Sequence, residues 1–330
     1  MRAVRSRWGR RFIRRGGLVL AVVALAITGG VALSPRPDLT VLCSNNLDSC
    51  EAVADSFSAR SGHRVKILRV STSQALERLK GAGKSSEFDV WIGGPTHAYA
   101  TAEAAGLLEP LPDLPAGPSA TNSWFEVYGG ILSLCVAADH DVRSWEELAT
   151  RPLRIAAPSP LTSGTAATFL ALQHMRLPDA TPYLRGVDAR VVTYTDSGMA
   201  PARLVATGFA DVGITFAPYC DAARARGAAV RTVFPSEGTD YEVGGAAVLA
   251  GSPRRDIAIS FLKFALSAHG QHVSAEAAFQ APIASTRQPT LYEQLDGLAV
   301  PVLHTDPYLL SETLTGLVEQ WEREVYHARP

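Results

Sequence analysis

The sequence has almost no net charge, because 31 Lys and Arg residues are balanced by 32 Asp and Glu residues. It therefore lacks the basic field that would hold a nucleic-acid backbone, and it has no acidic tail. We expect no nucleic-acid partner. Apolar residues make up 47% of the chain and charged residues 19%, which is typical of a folded globular protein rather than a disordered one.

Common catalytic motifs are also missing. The chain contains no G-x-S-x-G, no H-E-x-x-H, no Walker P-loop and no G-x-G-x-x-G. We therefore expect a protein that is not an enzyme and needs no cofactor. Glu237 and Asp240 lie close together in one loop and could act as paired carboxylates, so an envelope hydrolase using Glu237 stays an alternative. A contact with a ligand amine, or a role in the turn, is the simpler interpretation.

Long apolar runs are limited to one, at the N-terminus. Residues 17–33 are uncharged and mostly apolar, and the 15 residues at the start carry seven Arg and no acid. This pattern is typical of an export signal, although the run approaches the ~20 residues that span a bilayer. We predict an export signal or a retained anchor over 1–33 and a linker over 34–38. The protein is then exported, to the periplasm or the outer face of the cytoplasmic membrane, with a cleaved signal favoured.

Cysteine is scarce, with four residues, but an even number suits disulfides in an exported protein. Cys43 and Cys50 flank a short polar loop, which a disulfide between them would hold. Cys135 and Cys220 could pair near a domain junction, or could stay buried as small apolar thiols.

From residue 39 onward, strand-like runs alternate with helical patterns. A strand over 39–43 is followed by a helix over 49–60 and a strand over 64–70, after which Ser73 is predicted to cap the next helix. Such alternation indicates an α/β fold, with a parallel or mixed sheet covered by helices on both faces. From residue 253 the chain is mostly helical.

Polar loops follow the predicted strands, and ligands of open α/β sheets bind beyond the carboxyl ends of strands. Most of these loops open onto a helix, whose first N–H groups favour an anion. N-capping explains any single loop equally well, so the prediction rests on several loops in two separate units. The predicted ligand-binding residues are Ser44, Asn45, Thr72, Ser73, Gly93, Gly94, Ser163, Gly164, Thr165, Ser197, Glu237 and Tyr241.

An ordered set of segments resembles the extracellular solute-binding family that includes ferric-iron, phosphonate and sugar-phosphate receptors. The resemblance runs from about residue 39 to 282, and the order of the segments is more specific than any one of them. The segments are VLCSNNLDSCE at 41–51, STSQAL at 71–76, FDVWIGGP at 88–95, SWEEL at 144–148, PSP and SGT within 158–165, ADVGITF at 210–216 and PSEGT at 235–239.

The resemblance implies a bilobal type II periplasmic-binding-protein fold, whose lobes are joined by a two-strand hinge. Residues 39–136 and 245–330 would then form lobe 1, and residues 137–244 would form lobe 2. It also implies the substrate-binding subunit of an ABC importer, acting as a monomer, whose closed form is recognised by a permease in the membrane. Ligand bridging the lobes would shift an open–closed equilibrium towards the closed state.

Ferric-binding members of the family use two adjacent tyrosines late in the second lobe, whereas Pro218-Tyr219-Cys220 offers one. Tyr194 and Tyr241 could join Tyr219 as oxygen ligands, but a buried ring is the simpler role for Tyr194. We therefore expect a small anionic organic ligand, a phosphonate or a phosphorylated compound. A ferric-iron receptor is the alternative.

Overall fold

The computed structural model describes residues 37–114, 121–284 and 287–327. The predicted signal or anchor over 1–33 lies outside these ranges, as does most of the linker. From Asp38 onward the chain forms one compact unit. Within the described ranges, no helix combines the length and the apolar character needed to cross a bilayer.

Nine strands of the described chain form one sheet, in the order β2-β1-β3-β9-β4-β7-β5-β6, with β8 also paired to β4. The strands are β1 (Leu39–Cys43), β2 (Val65–Arg69), β3 (Val90–Pro95), β4 (Phe125–Ala137), β5 (Ile155–Pro158), β6 (Val191–Thr195), β7 (Val212–Phe216), β8 (Val230–Val233) and β9 (Tyr241–Val248).

Helices of the described chain cover both faces of this sheet. They are α1 (Leu47–Ser61), α2 (Thr72–Ala82), α3 (Thr96–Ala104), α4 (Glu146–Thr150), α5 (Gly164–Arg176), α6 (Thr181–Asp188), α7 (Ala200–Ala206), α8 (Ala217–Ala225), α9 (Arg255–Leu266), α10 (Ala268–Ala278), α11 (Leu291–Asp296) and α12 (Pro307–Trp321).

Two parallel groups of strands flank a central antiparallel pair. β1 runs parallel to β2 and β3, and β5 runs parallel to β6 and β7. The long strand β4 links the two groups, because its first half pairs with β9 and its second half pairs with β7, both antiparallel. The predicted α/β, bilobal fold is confirmed, and β4 and β9 are the strands that connect its two halves.

Side chains of β1 explain why helices must cover both faces of the sheet. Leu39 and Val41 pack into one apolar core, while Leu42 points to the opposite face and packs into another. All residues of β1 are buried. A strand without a solvated face is apolar at successive positions, which is the pattern that predicted it.

One detail of the predicted helices changes and another is confirmed. The N-cap of α2 is Ser71 rather than Ser73, because Ser71 and Gln74 form a reciprocal capping box. Gly62 ends α1 as expected, with a φ of 78° that a side chain would strain. The end of α1 could be predicted because only glycine adopts this conformation freely. The start of α2 was harder to predict, because Ser71, Thr72 and Ser73 are all candidate N-caps.

The structure contains both disulfides that the sequence offered, including the Cys135–Cys220 pairing that the sequence left open. Cys43 is bonded to Cys50 across seven residues, and Cys135 is bonded to Cys220 across 85 residues. The first closes the loop that connects β1 to α1. The second links β4 to α8, so the alternative of buried free thiols is wrong for this pair.

The C-terminal helix α12 contacts both halves of the molecule. Trp321 packs into the same apolar core as Trp145 and Leu148. At the other end of α12, the Tyr308 hydroxyl donates a hydrogen bond of 3.0 Å to Glu103, on α3. The predicted lobe boundaries, after residues 136 and 244, stay a prediction.

Candidate functional site

A polar cleft with a cavity volume of about 40 Å³ lies between the carboxyl ends of β1, β2 and β3 and the loops that follow β5 and β6. Most of the residues predicted to bind ligand line it. They are Ser44, Asn45, Thr72, Gly94, Ser163, Gly164, Thr165 and Ser197. Their convergence follows from the strand arrangement, since the carboxyl ends of neighbouring parallel strands meet at one edge of a sheet.

Four predicted residues do not line this cleft. Gly93 lies behind Asn45, where an added Cβ would sit 2.5 Å from the Asn45 Cβ. Ser73 faces an adjoining cavity and donates a hydrogen bond of 3.3 Å to the Thr162 carbonyl. Tyr241 stacks on the imidazole of His304, with 4.1 Å between the ring centroids.

Glu237, the fourth, is held on another surface. Its Oε1 accepts a hydrogen bond of 3.0 Å from the Glu146 N–H and lies 3.5 Å from the Arg176 guanidinium. Glu237 forms an ion pair with Arg176 and does not border the cleft, so it is not placed to act on a ligand bound there.

The wall formed by the first half of the fold, here the first wall, is a connected hydrogen-bond network. Asn45 donates to Ser49 (3.1 Å) and exchanges two hydrogen bonds with Gln280 (2.9 and 2.7 Å). The Ser44 hydroxyl accepts a hydrogen bond of 3.0 Å from the Trp91 indole N–H. These groups are held in place before any ligand arrives.

The wall formed by the second half, here the second wall, is centred on the start of α5. Ser163 is the N-cap of this helix, yet its side chain makes no capping hydrogen bond. Gly164 lies so close to the first wall that a Cβ there would be 2.6 Å from the Pro95 ring. Glycine is thus required at this position for the two walls to meet.

Helix N-termini reach the cleft from both walls. α1 begins after Asn46, α2 begins at Thr72 and α5 begins at Gly164, and all three positions border the cleft. The first N–H groups of a helix carry a partial positive charge and have no partner within the helix. Three such ends facing one cavity, with hydroxyls beside them, suit an oxyanion.

Three ionisable side chains on the cleft were not in the predicted set. Arg69 is the last residue of β2, and its Nε donates a hydrogen bond of 3.3 Å to the Asn45 carbonyl. Asp196 accepts from the Thr162 hydroxyl at 3.4 Å, on the exposed rim. Glu242 lies within β9, where burial, and secondarily the charge of Asp240, raise its pKa to about 8. At pH 7 the Glu242 carboxyl is mostly protonated, so it can donate a hydrogen bond.

Two tyrosines also line the cleft side by side. The Tyr128 hydroxyl accepts a hydrogen bond of 3.1 Å from the Gly94 N–H, and the Tyr219 hydroxyl accepts one of 3.2 Å from Gln280. Burial raises the pKa of both phenols, and for Tyr128 the neighbouring Tyr219 raises it further. Both phenols are therefore neutral at physiological pH unless a cation displaces their protons.

Glu242 borders the same cleft and contributes to the raised pKa of both phenols. Within the described residues, no group of three or more His, Cys, Asp and Glu side chains is placed to hold a metal ion. Cys220, next to Tyr219, is buried and bonded to Cys135, so it is not free to bind a cation. Tyr194 lies elsewhere, with its hydroxyl 2.6 Å from Asp188, and does not join Tyr219.

Three of the cleft residues that sequence reasoning missed, Arg69, Tyr128 and Glu242, lie in strands rather than in loops. Arg69 had a usable signal, because it lies next to the end of the strand predicted over 64–70, two residues before the Ser71–Ser73 loop. Tyr128 and Glu242 had none, because they belong to β4 and β9, and only the pairing of these strands brings them to the cleft. Attention to loops at strand ends cannot find a residue on the strands that connect the two halves.

Comparisons with known proteins agree with this architecture. A family model described as bacterial extracellular solute-binding protein matches residues 39–280. The chain is 27% identical over 330 residues to the major ferric iron-binding protein of Neisseria meningitidis serogroup B, with 91% of this chain and 97% of that protein covered.

Solved structures are similar along the same stretch. One is the periplasmic binding protein AfuA from Actinobacillus pleuropneumoniae, with fructose-6-phosphate bound: 26% identical, TM-score 0.79, covering 88% of this chain and 99% of AfuA. Another is the ferric binding protein from Campylobacter jejuni: 19% identical, TM-score 0.72, covering 86% of this chain and 98% of that one. The second likeness concerns the fold alone. The resemblance inferred from the sequence is confirmed.

Proposed function

The chain belongs to the bacterial extracellular solute-binding proteins, and on this basis we propose that it captures a small organic solute bearing a phosphate or phosphonate group. The solute would lie in the cleft between the two walls. An ABC permease in the membrane would then receive it, as is usual for binding proteins of this family. The proposal includes no catalytic step.

The convergence of three helix N-termini with the Arg69 guanidinium carries the proposal. A tetrahedral oxyanion can accept hydrogen bonds from several directions at once, and helix N–H groups with Ser and Thr hydroxyls supply them. The Arg69 guanidinium adds a positive charge, which attracts an anion. Glu242 does not oppose an anion at pH 7, because its raised pKa keeps the carboxyl mostly neutral.

The solved structure of AfuA supports the same chemistry, since that protein has fructose-6-phosphate bound. AfuA is also similar to this chain along most of its length. For the present chain, the sugar part of that ligand is not implied.

Titration calorimetry of ligand-free protein tests the proposal. We expect binding of at least one compound among inorganic phosphate, methylphosphonate, hexylphosphonate and fructose 6-phosphate. An Arg69→Met variant should bind the same compound about tenfold to a hundredfold more weakly, because a charge-assisted hydrogen bond is lost. Lys66→Met, an exposed cation on the same strand, is the matched control. Failure of all four compounds to bind would contradict the proposal.

Ferric iron is a second candidate, favoured by one observation. Tyr128 and Tyr219 both border the cleft, so two phenolic oxygens are available although they are not adjacent in sequence. A relative of similar length is named as a ferric iron-binding protein. Both phenols would have to lose protons that burial makes harder to remove, which is why we prefer the anion.

Visible absorbance separates the two candidates. Addition of ferric citrate to the ligand-free protein should give no tyrosinate-to-iron charge-transfer band if the cleft serves an anion. A band that disappears in Tyr219→Phe would establish the ferric candidate instead. Methylphosphonate titration of the same variant provides the control for folding of the cleft.

A further inference from the structure

A second cavity of about 170 Å³ adjoins the cleft and is larger than it. The two cavities share four lining residues: Thr72, Thr162, Ser163 and Gly164. A ligand group held at the start of α5 therefore lies on the border of this second cavity. The cleft, with a cavity volume of about 40 Å³, suits the head group of a solute, and the larger cavity beside it suits another part of the same molecule.

Three leucines from distant parts of the chain form the apolar part of the second cavity. Leu76 comes from α2, Leu161 from the loop before α5, and Leu314 from α12. Leu161 is 44% exposed, although it stands beside the predicted binding site. When a ligand covers an apolar side chain at the wall of a cavity, the free energy falls, because apolar surface is removed from water.

Charge in the second cavity is low. His97 is buried, and burial lowers its pKa to about 4, so its imidazole is neutral at pH 7. Lys80 stands at the rim with 45% of its side chain exposed and lies 3.9 Å from Glu77. The remaining polar groups are mostly hydroxyls, among them those of Ser73 and Ser311. Such a lining suits an uncharged group with apolar surface rather than a second anion.

We propose that the second cavity holds the organic part of the ligand, so that the solute is a phosphonate or phosphate monoester with an extended, uncharged and largely apolar substituent. This inference rests on the proposed function, because the head group in the cleft fixes where the substituent begins. The C-terminal helix α12 then takes part in substrate selection through Leu314. Its other contacts, with α3 and the second half of the fold, hold Leu314 in place.

Two probes that differ only in their substituent test the inference: methylphosphonate and hexylphosphonate, titrated calorimetrically into the ligand-free full chain. We expect hexylphosphonate to bind at least about tenfold more tightly, because each buried CH₂ adds to affinity. Leu161→Asp and Leu314→Asp should each weaken hexylphosphonate about tenfold and leave methylphosphonate within about twofold. Leu161 is exposed, so its variant should fold even if that of Leu314 does not.

Leu309→Asp is the matched control, since Leu309 lies on α12, is 55% exposed and does not line the cavity. It should alter neither titration. Equal binding of the two phosphonates, or equal weakening of both by Leu161→Asp, would overturn the inference and leave the proposed function standing. Failure of both phosphonates, inorganic phosphate and fructose 6-phosphate to bind folded protein would overturn both.

Discussion

The two walls of the cleft differ in how their polar groups are used. On the first wall, the Asn45 side chain is hydrogen-bonded to Gln280 and Ser49, and the Ser44 side chain is hydrogen-bonded to Trp91. On the second wall, Ser163 occupies the N-cap of α5 without capping it. Groups already bonded within the protein keep the wall rigid, whereas groups without such bonds are available to a ligand. We therefore propose that the first wall acts as a scaffold and that the second wall supplies the new hydrogen bonds to a ligand.

Removal of the disulfides should give the largest changes in the free energy of unfolding. One disulfide lies near each wall, so the two variants compare how strongly the walls are stabilised. Replacing Cys135 and Cys220 by Ala should lower the free energy of unfolding by about 4 kcal/mol, because a loop of 85 residues is released. Replacing Cys43 and Cys50 should cost about 2 kcal/mol, because that loop has seven residues. Urea unfolding of the two double variants measures the difference, and a larger loss for the shorter loop would contradict the loop-entropy argument.

The hydroxyls of the second wall should affect binding without affecting stability. The double variant Ser163→Ala, Thr165→Ala should bind the phosphorylated or phosphonate ligand about a hundredfold more weakly, since two hydrogen bonds to a charged group are lost. Its melting temperature without ligand should stay close to that of the parent protein. Calorimetry and thermal unfolding measure the two quantities. An unchanged affinity would remove the second wall from the site.

A first-wall serine should show the opposite balance. Ser44→Ala leaves the buried Trp91 N–H without its acceptor, which should lower the free energy of unfolding by about 1–3 kcal/mol. Affinity should fall less than in the second-wall variant. Comparing the two variants in the same buffer sharpens the distinction between the walls, and equal effects on stability would break it.

The effect expected of Glu242 depends on pH. Its pKa of about 8 in the folded protein stands against 4.5 for an ordinary glutamate, so between these pH values the folded chain keeps a proton that the unfolded chain has lost. Stability therefore falls as pH rises through this window, and the loss levels off above it. Glu242→Gln does not titrate, so its stability relative to the parent should rise from pH 5 to pH 8.

Urea midpoints at pH 5, 6, 7 and 8, taken without ligand, test this expectation. Glu51→Gln, which changes an exposed carboxyl on α1, controls for the general effect of removing one acidic group. A difference between Glu242→Gln and the parent that is constant across the window would show that Glu242 is not buried as a neutral acid.

Local sequence determined the elements that rest on short-range physics. The strand β1 was predicted with its observed bounds, since five buried residues in a row leave no other interpretation. The end of α1 at Gly62 was also readable, because a positive φ selects glycine. Eight of the twelve predicted ligand-binding residues border the cleft, because polar loops at parallel strand ends converge in this class of sheet.

Residues whose role depends on long-range pairing were not readable in this way. Ser73 and Glu237 sit in the same kinds of loop as Thr72 and Ser163, yet neither reaches the cleft. Successive residues of a helix point in different directions, so the side chain of Ser73 does not follow that of Thr72 into the cleft. An ion pair with Arg176 holds the Glu237 side chain elsewhere. Sequence spacing gives the neighbourhood of a side chain but not the direction in which it points.

The sequence by itself determined an exported-type, two-part α/β binding protein with hydroxyl-rich loops, because periodicity, capping and composition act over a few residues. Only the tertiary structure decided which ionisable side chains of the strands line the cleft. Arg69, Tyr128 and Glu242 meet in the cleft because β2, β4 and β9 are brought to one place by pairings across the sheet. It also decided that α12 closes the neighbouring cavity, since a helix far along the chain reaches that site only when both cores are packed.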